Sequence, residues 1–321
     1  MSQRSMRSAQ RRGFLVRTTA FVAASLVPGT MGTTFAQTRP PVSRPEELKH
    51  LEERASRTGI RGALGSRVAT ETDVADTYSE LMPRLVDLID RASASGGDGQ
   101  DIARAASELL SRVHRSETGE HPTDEYSRRA PPAFQDLQKK YREQFESCVA
   151  KLPHKAKLDA HVQILLRFRH RYEGVATRLN IPWYFVGLIH ALEASFNFGA
   201  HLHNGDHPLS RRTVRVPANR PAVWAPPIDW ESSADDALRY KGYDDEKDWS
   251  VERMLFMWEK YNGFGYHYRG VPTPYLWSFS NHYSKGKFVS DGQWDPDYVS
   301  QQCGAAVMLK VLVADNIISV Q

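Results

Sequence analysis

IPWYFVGLIHALEASFNF, residues 181–198, is almost wholly apolar, yet it carries one carboxylate, Glu193, in its last third. On a helix Val186, His190 and Glu193 fall at i, i+4 and i+7, on one face, while Phe185, Leu188, Ile189 and Leu192 populate the other. Pro182 suits a first helical position, where its fixed φ is already helical, and Gly199 is placed to end the run. A helix apolar on nearly every side is buried inside a domain. Glu193 then sits in partly dry surroundings near the negative end of the helix dipole, and both effects oppose its ionisation, as a general acid requires. The competing reading of the same residue is an ion pair with an Arg or Lys of another helix.

Upstream, Phe134–Leu152 and Ala156–Leu179 read as two amphipathic helices with Pro153 and His154 at the break. Two further helical patterns run over Thr72–Ala94 and Asp101–His114, joined by the flexible turn SASGGDGQ. TRPPVSRPEE (38–47) and SETGEHPTDEYSRRAPP (116–132) read as linkers, which places a domain boundary near residue 130. Downstream, residues 200–230 carry the turn signal NGD and the alternating TVRV, the marks of a small hairpin lobe. Helices resume at Glu231–Tyr240, at Ser250–Tyr261 and at Asp295–Val313, the last with Asp295 as N-cap and Pro296 in the first turn. The class is α+β, mainly α: a helical region over 37–130 followed by a helical domain with a β-hairpin lobe over 131–321.

With 321 residues and 40% hydrophobic content the chain can bury a sizeable core. Residues 1–36 read as an export signal: a basic n-region with Arg11 and Arg12 before Phe14 and Leu15, a modest apolar stretch broken by Pro28 and Gly29, and a small residue at Ala36. The paired arginines resemble the twin-arginine signature. The apolar run is shorter than the ~20 residues that span a bilayer, so no stable membrane anchor remains after removal of the signal. Residues 1–36 hold five Arg and no acid, so the formal charge of +4 becomes 37 basic against 38 acidic residues without them, and nucleic-acid binding loses its main support. The expected location is periplasmic or secreted. Cys148 and Cys303 fall in segments that read as helical, and either one disulfide or two buried free thiols fits such a compartment.

EASFNF after an apolar helix resembles the catalytic glutamate signature of the lysozyme-like superfamily, which includes the goose-type lysozymes and soluble lytic transglycosylases. More widely, the stretch from about Phe134 to Leu312 resembles a group of bacterial and phage lysozyme-family proteins through IPWYFVGLIHALEASFNF, HLHNGDHPLSRRTVRVP, YNGFGY, PYLWSFSNHY and SQQCGAAV. The resemblance implies a lysozyme-like fold and cleavage of the β-1,4 bond of peptidoglycan glycan strands, with Glu193 protonating the leaving oxygen and no cofactor or metal. It places Asp206, in the HNGD turn, where such folds usually carry a second carboxylate, although Asp after Asn-Gly is also ordinary turn chemistry. Without a second acid, the sugar's own group attacks and leaves the anhydro product of a lytic transglycosylase.

Sugar faces pack on aromatic rings and sugar hydroxyls need polar partners. The candidates for binding are Ser195, Asn197, His203, Asn204, Tyr261, Asn262, Tyr266, Trp277 and Asn281, in a region also rich in Trp258, Tyr275 and Tyr283. Trp258 lies on an apolar stripe and reads as core. YNGFGY lacks the small residues that usually follow Asn in the tyrosine-bearing cleft segment of transglycosylases. Two other functions compete: a zinc-dependent hydrolase built on His201, His203, Asp206 and His207, and a non-catalytic glycan-binding protein.

Overall fold

The computed structural model describes residues 43–57, 71–118, 129–225, 228–290 and 293–320, and the export signal expected over 1–36 lies outside them. Among the described residues the chain forms twelve α-helices and a two-stranded antiparallel sheet, the mainly α form of the α+β class. α1 (Arg44–Arg57), α2 (Glu71–Ser93) and α3 (Asp98–Thr118) pack on one another. They are followed by α4 (Phe134–Glu146), α5 (Lys155–Arg167), α6 (Arg169–Leu179), α7 (Trp183–Ala194), α8 (Trp230–Tyr240) and α9 (Val251–Asn262). The C-terminal part holds two single-turn helices, α10 (Gly265–Tyr268) and α11 (Pro274–Trp277), the strands β1 (Lys287–Ser290) and β2 (Gln293–Asp295), and α12 (Ala305–Ala314). Among the described residues no helix is long and apolar enough to cross a membrane.

α7 is the axis of the core. Every residue from Tyr184 to Ala194 is buried, and the helix is packed by α5, α6 and α12. Phe185 stacks on Trp258 with ring centroids 5.2 Å apart, and His190 lies against Trp230 at 4.5 Å. Gly187 permits the close approach: a Cβ there would come 2.4 Å from Leu165 Cδ1 and 3.0 Å from the Tyr172 ring. Each large apolar side chain buried in this way contributes roughly 1.5–3 kcal/mol relative to exposure, and α7 with its neighbours buries many of them.

Several local expectations are corrected. α7 does not run on to Gly199; it stops at Ala194 because Ser195 and Phe196 turn left-handed, at φ 51° and 61°, and their amides bond back to Ala191 and His190. The helix expected over 156–179 is broken at Phe168, where α5 ends and α6 starts again. No strand forms in the described part of 200–230, which is a looped segment held by side-chain hydrogen bonds. The hairpin lies instead at 287–295, where Phe288 pairs with Trp294 beside the Tyr266 ring. Asp295 ends β2 and accepts from the amides of Asp297 and Tyr298, so the last helix begins only at Ala305. The expected linker 38–47 is helical from Arg44, where the Glu46 carboxylate reaches back to the residue before the helix, Ser43 N and Oγ both donating to Glu46 Oε2. Cys148 and Cys303 lie in loops rather than helices, as buried free thiols whose ionisation burial opposes.

Residues 42–321 form one compact unit. α2 packs on α5 and α3 on β1, so side chains from both sides of residue 130 share one core.

One buried acid gives this core a pH dependence. Glu259 on α9 is held up to about 7 by burial, against the opposing effect of the Tyr141 hydroxyl that donates to Glu259 Oε2 at 2.7 Å. A carboxyl raised in the folded state favours folding below its unfolded value near 4.5, and that contribution is lost as pH rises from there through about 7. The loss is on the order of 3 kcal/mol. Glu259→Gln keeps an acceptor for Tyr141 and removes the titration. Unfolding temperatures measured between pH 5 and 8 are therefore expected to fall more for the native chain than for the variant, and equal slopes would contradict the assignment.

Candidate functional site

The C-terminal end of α7 opens on a small cavity of about 60 Å³. Its walls come from distant parts of the chain. His114 and Thr118 of α3, Glu193 and Leu192 of α7, Asn204 and Arg215 of the following loop, Asn262 and Tyr266 around α9–α10, Tyr275 of α11, Lys287 and Phe288 of β1, and Gln302 before α12 all face it. Among the described residues Glu193 is the one carboxylate on these walls.

Glu193 is 3% exposed, and its Oε1 accepts from the Tyr275 hydroxyl at 2.9 Å. Burial pushes the Tyr275 phenol well above its ordinary value, and the charge of Glu193 and the Tyr261 hydroxyl push it in the same direction. Tyr275 thus stays a proton-bearing donor across the physiological range. Tyr243 and Tyr261 are buried nearby and shifted upward first by desolvation and next by Glu193. Lys241 stands 4.3 Å over the Tyr261 ring, with its ammonium pushed down by burial and supported by Glu193. A carboxyl group in such a setting has a phenol to orient it and polar side chains around the cavity in front of it.

The turn that aims Glu193 is over-determined. Two successive left-handed residues other than glycine each cost on the order of 1–3 kcal/mol unless their surroundings fix them. Ser195 Oγ is fixed by the Tyr78 hydroxyl at 2.9 Å and by His114 Nδ1 at 2.8 Å. Asn197 donates to Ser107 O and Ser111 Oγ, and its Oδ1 receives the Ser107 hydroxyl and the Gly199 amide. Gln302 donates to the Leu192 carbonyl at 2.8 Å. Opposite, Gly205 sits at φ 67°, and a Cβ there would come 2.1 Å from the Glu193 carbonyl oxygen. Only glycine lets the HNGD turn close on the end of α7.

The site candidates read from the sequence divide accordingly. Glu193, Asn204, Asn262 and Tyr266 line the cavity. Ser195 and Asn197 stand behind it as supports of the turn. Tyr261 is buried, its hydroxyl donating to the Leu202 carbonyl at 2.7 Å. Trp277 is 1% exposed in the core, and Asn281 is exposed and braces the 147–149 backbone, so neither reaches the cavity. His203 turns to Asp236, with Nε2 2.7 Å from Oδ2, and burial pushes its imidazole down to about 4.

Asp206 lies behind the wall. Its Oδ1 accepts from Arg215 Nε at 2.6 Å and its Oδ2 from the amides of Val214 and Arg215 at 2.8 and 2.9 Å. Burial opposes its charge, but the hydrogen bonds from Arg215 and Val214 and the Arg215 charge outweigh burial and hold it below the usual carboxylate range. With Asn204 Oδ1 accepting its amide, Asp206 performs the turn chemistry that Asn-Gly-Asp favours.

The run His201–His207 does not converge. His201 bonds Ser233 and the Arg211 carbonyl, His203 bonds Asp236, and His207 bonds Ser107. Among the described residues no three His, Cys, Asp or Glu side chains come together to hold a metal. The zinc-site reading is therefore set aside on geometry.

His114, Thr118, Arg215, Lys287 and Gln302 are cavity residues that sequence reasoning did not single out. They lie up to 188 positions apart in the chain, from His114 to Gln302, and carry no local pattern. Arg215 and Gln302 fall in two of the blocks that carry the resemblance, HLHNGDHPLSRRTVRVP and SQQCGAAV. Comparison with protein-family models, with curated proteins and with solved structures finds no match for this chain.

Proposed function

We propose that the chain cleaves the β-1,4 linkage of peptidoglycan glycan strands outside the cytoplasm, with Glu193 as the single catalytic carboxylate. The observation that carries this reading is the placement of Glu193: buried, the one acid on the cavity walls among the described residues, and hydrogen-bonded by the Tyr275 phenol. The order of blocks around EASFNF supports the substrate class, and the export signal supports the compartment.

A one-acid site favours transglycosylation over hydrolysis. Hydrolysis normally uses a second carboxylate as base or nucleophile, and Asp206 is committed to Arg215 and two backbone amides. In the reaction proposed, Glu193 gives its proton to the leaving glycosidic oxygen as the C1–O4 bond breaks. The carboxylate then takes the proton of the sugar's own C6 hydroxyl as O6 bonds to C1, which restores the acid and leaves a 1,6-anhydro end. Tyr275 holds the carboxyl in place and supplies a hydrogen bond to its charged form between the two proton transfers. Asn262 offers an amide group to sugar hydroxyls, and the Phe288 and Tyr266 rings offer an apolar face.

Mass spectrometry of the products released from purified sacculi tests the reaction. Anhydro ends, 18 Da lighter than the corresponding reducing ends by the loss of one water (about 18 Da by elementary composition), are expected. Reducing ends would make the enzyme a hydrolase and return Asp206 to consideration; binding without turnover would leave a glycan-binding protein.

A further inference from the structure

Between His207 and Ile228 the sequence carries four arginines and no acid. Burial along this loop runs opposite to the usual pattern. Thr213 is buried and Arg215 half-buried, while Val214 and Val216 beside them stand 66% and 80% exposed, and Val223 stands 86% exposed. The inversion is fixed from behind. Asp206 takes the amides of Val214 and Arg215 and the Arg215 side chain, which draws the polar position inward and leaves the valines outside. The Thr213 hydroxyl closes the loop on itself, donating to the Pro217 carbonyl and accepting the Arg220 amide, and Asp236 holds the far side through Arg220 and the Ala222 amide. Exposed valines taken singly need no explanation, but these are grouped. Six large apolar side chains stand exposed among the described residues; three are these valines, and a fourth, Tyr240, has the Arg220 guanidinium 4.6 Å over its ring. Cations border the group. Asp206 and Asp236 neutralise Arg215 and Arg220, whereas the exposed Arg211 and Arg212 donate to the His207 and Ala222 carbonyls and pair with no acid among the described residues.

We propose that residues 211–223, with Tyr240, form a docking surface for an anionic lipid bilayer. Apolar tips bordered by a tyrosine and by cations, in a loop without acids, have the composition of a membrane interface. The valines enter the acyl boundary, the tyrosine sits at headgroup level, and the guanidiniums of Arg211 and Arg212 meet lipid phosphates. The contact is peripheral and reversible, because three valines bury far less apolar surface than a spanning helix, and among the described residues no helix is long and apolar enough to cross. Arg215 of the same loop lines the cavity that holds Glu193, so docking sets the mouth of that cavity beside the membrane. The surface itself does not depend on the reading of Glu193.

Flotation of the chain with phosphatidylcholine vesicles, with and without phosphatidylglycerol, tests the surface. The wild type is expected to partition onto the anionic vesicles and to leave them as salt is raised. Arg211→Gln with Arg212→Gln is expected to weaken that partition about tenfold or more, and Val214→Ser with Val216→Ser and Val223→Ser by a similar factor. The unfolding temperature of the serine variant is expected to hold, because the methyl groups it loses are already in water. A label locates the contact independently of the basic residues 1–36, which every chain shares. Cys148 and Cys303 are buried, so an environment-sensitive fluorophore on the exposed position of Ala218→Cys reacts there alone, and its emission is expected to shift to the blue on anionic vesicles. Equal partition onto neutral and anionic vesicles, a variant that partitions as the wild type does, or an unmoved emission overturns the proposal. Variants that lose binding to purified sacculi while no chain binds vesicles would assign the loop to the glycan and overturn it as well.

Discussion

The Glu193→Gln chain is expected to release soluble glycan fragments from peptidoglycan at least about a thousandfold more slowly than the wild type, at unchanged thermal stability. Gln fills the same volume, and its carbonyl still accepts the Tyr275 hydroxyl that now reaches Glu193 Oε1 at 2.9 Å. What it lacks is the proton. General acid catalysis contributes roughly 10²–10⁴ in rate, and here one carboxyl serves both proton transfers, so the upper part of that range is expected. Fragment release followed by mass spectrometry, with thermal unfolding of the same samples, decides the matter. A variant within about threefold of wild type would remove Glu193 from the chemistry, whatever its burial. Loss of activity with loss of fold would instead show a structural role, and for that reason the two measurements belong together.

The helical class and the placement of Glu193 were legible because they rest on local signals. An apolar run with one acid near its end has few explanations, and Pro182 marks its start. The hairpin was misplaced for a physical reason: TVRV alternates like a strand, but Asp206 takes the amides of Val214 and Arg215 as hydrogen bonds to its own carboxylate, and the segment becomes a loop around that acid. Asp295 misled in a similar way, since the Asx turn that it makes with Asp297 and Tyr298 satisfies the same preference as an N-cap. Aromatic residues between 258 and 283 were read as sugar platforms in some cases, and most proved to be core, because a ring-rich sequence does not say which faces are turned inward. Trp277 is the example, buried among the core side chains while Tyr275, two residues earlier, reaches the carboxylate. The contribution of α3 had no local signature at all. His114 looks like any helical histidine until the chain brings Ser195 to its Nδ1.

Glu117 at the end of α3 shows how strongly that helix is joined to the rest of the site. It is 1% exposed; its Oε1 accepts from Lys287 Nζ at 2.6 Å and from the Gln301 amide at 2.7 Å, and Ser300 and Tyr298 hydroxyls stand at 3.3 Å. Lys287 is equally buried at 3% and also donates to the Glu117 carbonyl. Burial pushes the Lys287 ammonium down, and the charge and hydrogen bond of Glu117 sustain it. Glu117→Ala is expected to cost about 3–5 kcal/mol, because it strands the cation without its counter-charge. For a chain of this size that is a fall of roughly 10 °C in unfolding temperature. The double variant Glu117→Leu with Lys287→Met, which removes both charges and fills the space, is expected to recover most of the loss, since a buried pair is often no more stable than an apolar replacement. The pH dependence gives an independent check. An amine whose folded value is depressed favours folding increasingly as pH rises from that value toward 10.5, because the folded state then holds fewer protons than the unfolded chain. Without Glu117 the depression deepens, so the deficit of Glu117→Ala should be largest at neutral pH and shrink as pH rises toward 9. A deficit that is small, or equal at both pH values, would mean that water reaches Lys287 and that the pair does not bind α3 to the β1 wall of the cavity.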